Sequence, residues 1–193
     1  MARATLTAEE LGAFRGRAVA AATRLFAERG YRGVTLRSLA KELGVSPMTP
    51  YRYFENKEEL FGMVRTAAFR RFADAQRDAV GGIEDPQDAL RVLGRAYVGF
   101  ALEQPDAYHI MFELLQAPAG TYPKLEAEQA RAFSYLHAAV KASVEAGFLE
   151  GESLARAHYL WALVSLHLAG KLVMGCSLDE LVSTVFERPE AAQ

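Results

Sequence analysis

The chain is short of the residues on which several functional classes depend. It has one cysteine, Cys176, among 193 residues, which excludes a disulfide framework and any multi-cysteine metal site and fits a reducing, cytoplasmic setting. Cys176 itself reads as a buried, inert thiol. The four histidines, at positions 109, 137, 158 and 167, have no metal-ligand spacing within a helix. Glu-x-x-His and His-x-x-x-His pairs, a phosphate-cradling glycine loop and a Gly-x-Ser-x-Gly nucleophile turn are all missing. The expectation is a protein with no metal, no cofactor and no enzymatic activity. Long apolar runs are lacking too. Tyr159 to Gly170 lies in the longest uncharged stretch; it contains His167 and falls well short of the roughly 20 residues needed to span a bilayer. Met1-Ala2-Arg3-Ala4-Thr5 has no apolar signal-peptide core, so neither export nor a membrane partner is expected.

Charge of one sign is scarce overall, with a net of −2, but its distribution is uneven. Residues 1–80 carry 14 Lys/Arg and 9 Asp/Glu, a net of +5, which leaves 8 basic and 15 acidic residues, a net of −7, in the remainder. A basic head suits phosphate binding, and an acidic body would turn that head toward a polyanion.

Strand-type alternation is absent, whereas apolar residues recur at three- and four-residue spacing almost throughout, so the predicted fold is all-α. The first helix opens with Thr7 as N-cap and Glu10 at the capping-box position, carries Leu11, Phe14, Ala18, Ala22, Leu25 and Phe26 on one stripe, and stops at Gly30. Thr35 caps a short second helix with Leu36, Leu39, Ala40 and Leu43 on its apolar side and Gly44 just beyond it. Two starts are open for the third: Ser46-Pro47 as cap and first residue, ending near Phe54, or Thr49-Pro50 in the same roles, giving a shorter helix. The first is preferred, with Pro50 packed inward. Asn56 caps a fourth helix, with Glu59 at the box position and Leu60, Phe61, Val64, Phe69 and Phe72 facing inward. Gly81-Gly82 and Glu84-Asp85-Pro86 break the pattern, and further helices are expected at about 87–103, 106–116, 123–147, 152–174 and 178–187.

Leu36 to Glu55 meets the needs of a helix-turn-helix: small Ala40 where two helices cross, Gly44 for a left-handed turn, and Leu39, Leu43, Val45 and Tyr53 as a shared seam. The second helix of such a unit enters the major groove while the first braces it. Phe26, Gly30-Tyr31, Thr35, Leu39-Ala40, Gly44-Val45-Ser46, Tyr51-Arg52-Tyr53-Phe54 and Lys57-Glu58-Glu59-Leu60 together resemble the TetR/AcrR-like family of transcriptional regulators. The resemblance implies a three-helix DNA-binding domain at 1–57, a connecting helix at 58–80, and a ligand-binding and dimerisation domain at 81–193. It further implies a homodimer on a near-palindromic double-stranded operator, most simply a repressor released by a small-molecule inducer.

Residue chemistry supports the same roles. Lys57 and Arg37 are cations in first helical turns, where they oppose the macrodipole, and an incoming phosphate would offset that cost. Thr49 and Arg52, three apart, share a face and carry groups suited to base edges, with Arg52 the main candidate for direct readout. By resemblance Tyr51 contacts the phosphate backbone and Tyr53 faces the seam. Thr35, Arg37, Ser46, Pro47, Thr49, Tyr51, Arg52 and Lys57 form the expected DNA-binding set. Tyr97, Phe100, His109, Phe112, Phe133, His137, Trp161 and His167 are candidates for lining an apolar inducer pocket with a few polar tips, or for plain core. Segments 104–112 and 161–170 are similar to one C-terminal subgroup of the family, except that Val164, Ser165 and Leu166 stand where that subgroup has a His-Gly pair. The 123–147 and 152–174 helices, rich in small residues, are the expected dimerisation pair.

Overall fold

A computed structural model describes residues 8–112 and 120–149, together with 162, 164 and 167. The described elements are all helical: α1 (Ala8–Gly33), α2 (Leu36–Glu42), a single 3₁₀ turn (Pro50–Arg52), α3 (Lys57–Val80), α4 (Pro86–Glu103), α5 (Pro105–Met111) and α6 (Pro123–Glu145). The Thr7 cap, His158, Trp161 and Cys176 lie outside the described residues, as do the 178–187 helix and nearly all of 152–174.

The chain packs as two compact units, Met1–Ala68 with Asp106–Glu126, and Phe69–Pro105 with Ala127–Gln193. In the first unit α1, α2 and the start of α3 close over Phe14, Leu25, Phe26, Leu36, Leu39, Tyr53, Phe54, Leu60 and Phe61. These are largely the stripe positions expected at helical spacing, each a large side chain removed from water at a gain of about 1.5–3 kcal/mol. Gly30 stops the first helical path as expected: within the span Ala8–Gly33 its φ of 64 and ψ of 172 are non-helical. Only glycine enters that conformational space freely, so the helical path breaks there and a last turn follows to Gly33. In the second unit the Phe72 ring meets Tyr97 edge-on at 5.0 Å and Phe100 at 5.1 Å. Buried Gln76 donates from Nε2 to the Ala132 carbonyl at 2.9 Å. Arg131 on α6 binds Asp74 on α3 at 2.9 Å and Glu128 at 2.8 Å, and Arg70 also reaches Glu128 at 2.8 Å.

The α4 start follows the breaker expected near residue 85: Asp85 accepts from the Asp88 amide at 2.8 Å and Pro86 fills the first turn. The helix expected at 106–116 is described only from Pro105 to Met111.

Candidate nucleic-acid interface

The geometry of Leu36–Lys57 follows from its caps. Thr35 is extended (φ −133), its hydroxyl accepts from the Ser38 amide at 3.0 Å, and the Ser38 hydroxyl accepts from the Thr35 amide at 2.9 Å. This reciprocal box fixes the start of α2. At the other end the Val45 amide donates to the Ala40 carbonyl at 3.0 Å and the Gly44 amide to Lys41 at 3.2 Å. That pair of bonds is a Schellman stop, which requires the left-handed φ of 65 found at Gly44. Leu39 and Ala40, buried on this short helix, hold it against the core.

The next segment corrects the preferred third helix. No α-helix starts at Ser46-Pro47; the regular element is the turn Pro50–Arg52, with Thr49 before it. The reason is the missing amide of Pro50, which would have bonded back to Ser46. The Ser46 carbonyl accepts instead from the Thr49 amide at 2.8 Å, and its hydroxyl from the Met48 amide at 3.4 Å. Tightened i→i+3 bonds then continue, with Arg52 to Thr49 at 3.1 Å and Tyr53 to Pro50 at 2.9 Å. Pro50 is buried as expected, and Tyr53 stacks on Phe14 with centroids 3.9 Å apart. The Tyr53 carbonyl accepts from the Arg15 guanidinium at 3.1 Å.

On this braced platform Arg37, Ser46, Pro47, Tyr51 and Arg52 are exposed, and Thr49 is half-buried. Met48, absent from the set expected on sequence grounds, is 67% exposed and is the most exposed large apolar side chain among the described residues. Its only sequence signal is its place between two prolines in the turn.

Asn56 caps α3, its Oδ1 accepting from the Glu59 amide at 2.7 Å, while the Glu59 carboxylate accepts from the Glu55 amide at 2.6 Å rather than from the cap residue's own. Lys57 does not stand alone at this helix start. Its Nζ donates to the Tyr31 carbonyl at 3.1 Å and lies 4.1 Å from the centroid of the Tyr31 ring. The Tyr31 hydroxyl donates to Glu58 at 2.6 Å. That bond holds the Glu58 carboxyl below the usual range, while burial, with the Glu58 contact second, pushes the Tyr31 phenol up. In the sequence Tyr31 stands out only as part of a motif.

Of the pocket candidates, Tyr97 and Phe100 are buried against Phe72 in the second unit. Phe133 and His137 on α6 are exposed, as is His167. His109 and Phe112 belong to the other compact unit; His109 is exposed and the Phe112 ring packs 4.8 Å from Tyr108. No grouping of three or more metal-binding side chains and no helix long and apolar enough to cross a membrane occurs among the described residues.

A short capped helix, a Schellman turn and a braced, exposed second segment define a helix-turn-helix DNA-binding unit. The family model described as bacterial regulatory proteins, tetR family, matches residues 18–64, and the one described as Tetracyclin repressor-like, C-terminal domain, matches residues 90–188. The chain belongs to this family of DNA-binding transcriptional regulators. It is 28% identical over 99 residues, 51% of its own length, to the HTH-type transcriptional activator FasR of Mycolicibacterium smegmatis, and the match spans 45% of that protein. It shares the fold of the TetR family regulator PfmR from Thermus thermophilus (TM-score 0.70, 23% identity, 88% of this chain and 94% of that one). It also shares the fold of AibR in complex with isovaleryl coenzyme A and operator DNA (TM-score 0.73, 17% identity, 89% and 95%).

Proposed function

We propose that the chain acts as a homodimeric, ligand-responsive repressor that covers a near-palindromic operator and leaves it when a small molecule binds the C-terminal part. The observation that carries this reading is the contrast within one short segment. Pro50, Tyr53 and Phe54 are buried as a brace, while Pro47, Met48, Tyr51 and Arg52 are left facing solvent. A fold that uses its apolar residues to hold a cation, a phenol and a thioether outward is built to meet a partner there. Arg52 reads a base edge, Tyr51 and Lys57 contact phosphate, and Thr35 and Arg37 approach the backbone from the start of α2. Function resides in binding, not in catalysis, and the working compartment is the cytoplasm. Two copies related by a two-fold axis would read two half-sites, paired through helices of residues 123–147 and 152–174.

AibR supports the pairing of ligand and operator on one fold, since it is seen with both. FasR, an activator, favours a second reading in which the bound protein recruits rather than blocks transcription. DNA selection from a random pool, repeated across salt concentrations, tests the common core of both: an enriched inverted repeat is expected, and sequence-blind binding alone would overturn it. Placing the operator before a reporter separates them, with lower output expected on adding the protein. Lys57→Ala should weaken binding to every sequence and lower the salt slope by about 1 per head, whereas Arg52→Ala should relax preference at one base position by about 1–3 kcal/mol.

A further inference from the structure

Tyr31 makes three contacts that converge on one ammonium and its neighbour. Its carbonyl accepts from Lys57 Nζ at 3.1 Å, its ring lies under the same nitrogen at 4.1 Å, and its hydroxyl holds the adjacent Glu58 at 2.6 Å. The tyrosine is in turn fixed. Its ring is nearly parallel to Phe26 (8°, 6.1 Å) and meets Phe61 edge-on at 5.0 Å, and its backbone follows the break at Gly30 that turns the end of α1 aside.

An ammonium has three N–H groups. The carbonyl takes one and the ring faces another, which leaves one for an outside acceptor. A lysine on a free surface loses much of its rotamer freedom when it grips a phosphate. A lysine already held loses less, so its contact contributes more to affinity.

We infer that Tyr31 is a positioning residue for DNA binding: it clamps the Lys57 ammonium, through its carbonyl and ring together, in the place where that ammonium meets a backbone phosphate. This rests on the DNA-binding role assigned to Lys57 above. Tyr31 itself touches no DNA in this arrangement and acts through Lys57 alone. Its hydroxyl has a separate task, tying down the Glu58 carboxylate beside the ammonium.

The test is a double-mutant cycle in the full chain, read as affinity for a labelled duplex carrying the selected operator and for one of scrambled sequence, each at several salt concentrations. Tyr31→Leu removes the ring, and the expected loss is about three-fold per reading head, or about ten-fold for two heads on one operator. The loss should be equal on both duplexes, because phosphate contacts carry no sequence information. In a Lys57→Gln background the same change should alter affinity by less than about two-fold, the scatter of independent sites. Tyr31→Phe keeps the ring and should lose less affinity than Tyr31→Leu does, and an equal loss from the two overturns the part given to the ring. A merely structural role for Tyr31 predicts equal losses in both backgrounds, and that result overturns the clamp. Should the unsubstituted chain bind neither duplex, the DNA-binding assignment fails first and the clamp with it. A second measurement needs no variant: in the free protein Lys57 should acetylate more slowly than exposed Lys41 and Lys124, and equal rates overturn the inference.

Discussion

Two glycines of α1 make a controlled comparison, because a methyl group added at either Gly16 or Gly30 meets no atom within 4 Å beyond the adjoining residues and local helix backbone. Packing therefore drops out and only the backbone differs. Gly16 is exposed and helical, so Gly16→Ala gains helix propensity of about 0.8–1 kcal/mol. Gly30 has φ 64 and ψ 172, a region nearly restricted to glycine, and Gly30→Ala forces about 1–3 kcal/mol of strain into the folded state. The loss of chain entropy in the unfolded state is the same for both and cancels in the comparison. With roughly 2–4 °C per kcal/mol for a chain of this size, Gly16→Ala should melt about 2–4 °C above the unsubstituted protein and Gly30→Ala about 2–12 °C below it. Thermal melting followed by circular dichroism, with urea titration as a check on cooperativity, reads both. Two variants that move in the same direction would refute the reasoning, since no contact separates them. Because Gly30 directs the Tyr31 carbonyl, Gly30→Ala should weaken duplex binding as well.

Arg131→Met removes the guanidinium that joins Asp74 and Glu128, and it should destabilise the chain by about 1–2 kcal/mol, a figure already reduced for the partial exposure of all three groups. The Arg131 contact holds the Asp74 carboxyl below its ordinary value, and Arg70 first and Arg131 second do the same for Glu128. Depressed carboxylates stabilise the fold fully above their unfolded values, about 3.9 and 4.3, and that contribution is lost as pH falls through the lower folded values. Urea stability should therefore decline on acidification below about pH 4, and decline less steeply in Arg131→Met; equal slopes would contradict the assignment. Pro50→Leu restores an amide that can reach the Ser46 carbonyl, a gain of about 0.5–1.5 kcal/mol that offsets a similar rise in unfolded-chain entropy. Stability should hardly change, whereas the preferred operator bases should, because Thr49 and Arg52 are re-aimed; an unchanged selected sequence would argue against the role given to this turn.

The parts of the fold legible in the sequence are those where one local signal meets no competitor. Leu60, Phe61 and Val64 recur at helical spacing after a capping asparagine, and they are buried on α3. Thr35 and Gly44 bracket α2 because a hydroxyl acceptor and a left-handed turn have few substitutes at those positions. The segment between Ser46 and Tyr53 is less legible because two prolines send opposing signals: Pro47 suits a helix start, while Pro50 denies that helix its first return bond. Which one prevails depends on Pro50 being buried beneath the platform, a tertiary fact. Gly30, by contrast, is legible as a stop, because its φ of 64 takes the chain off the helical path; only the short turn that follows it to Gly33 carries no local signal.

At Lys57 the same limit reaches function. From sequence, a cation in the first turn of a helix is an unfavourable placement that an anionic partner would relieve, and the phosphate becomes the reason for the lysine. The structure offers relief within the fold, from the Tyr31 carbonyl at 3.1 Å and the Tyr31 ring. The helix start thus holds its cation without DNA, and the phosphate need not compensate for a strained ground state. If Lys57 meets a phosphate as proposed, what DNA gains is a donor already in place, and the lysine would contribute affinity through order rather than through unmet charge. On that proposal salt sensitivity and orientation separate: the charge would set how steeply binding falls with salt, and Tyr31 would set how much of that charge is delivered to the right oxygen.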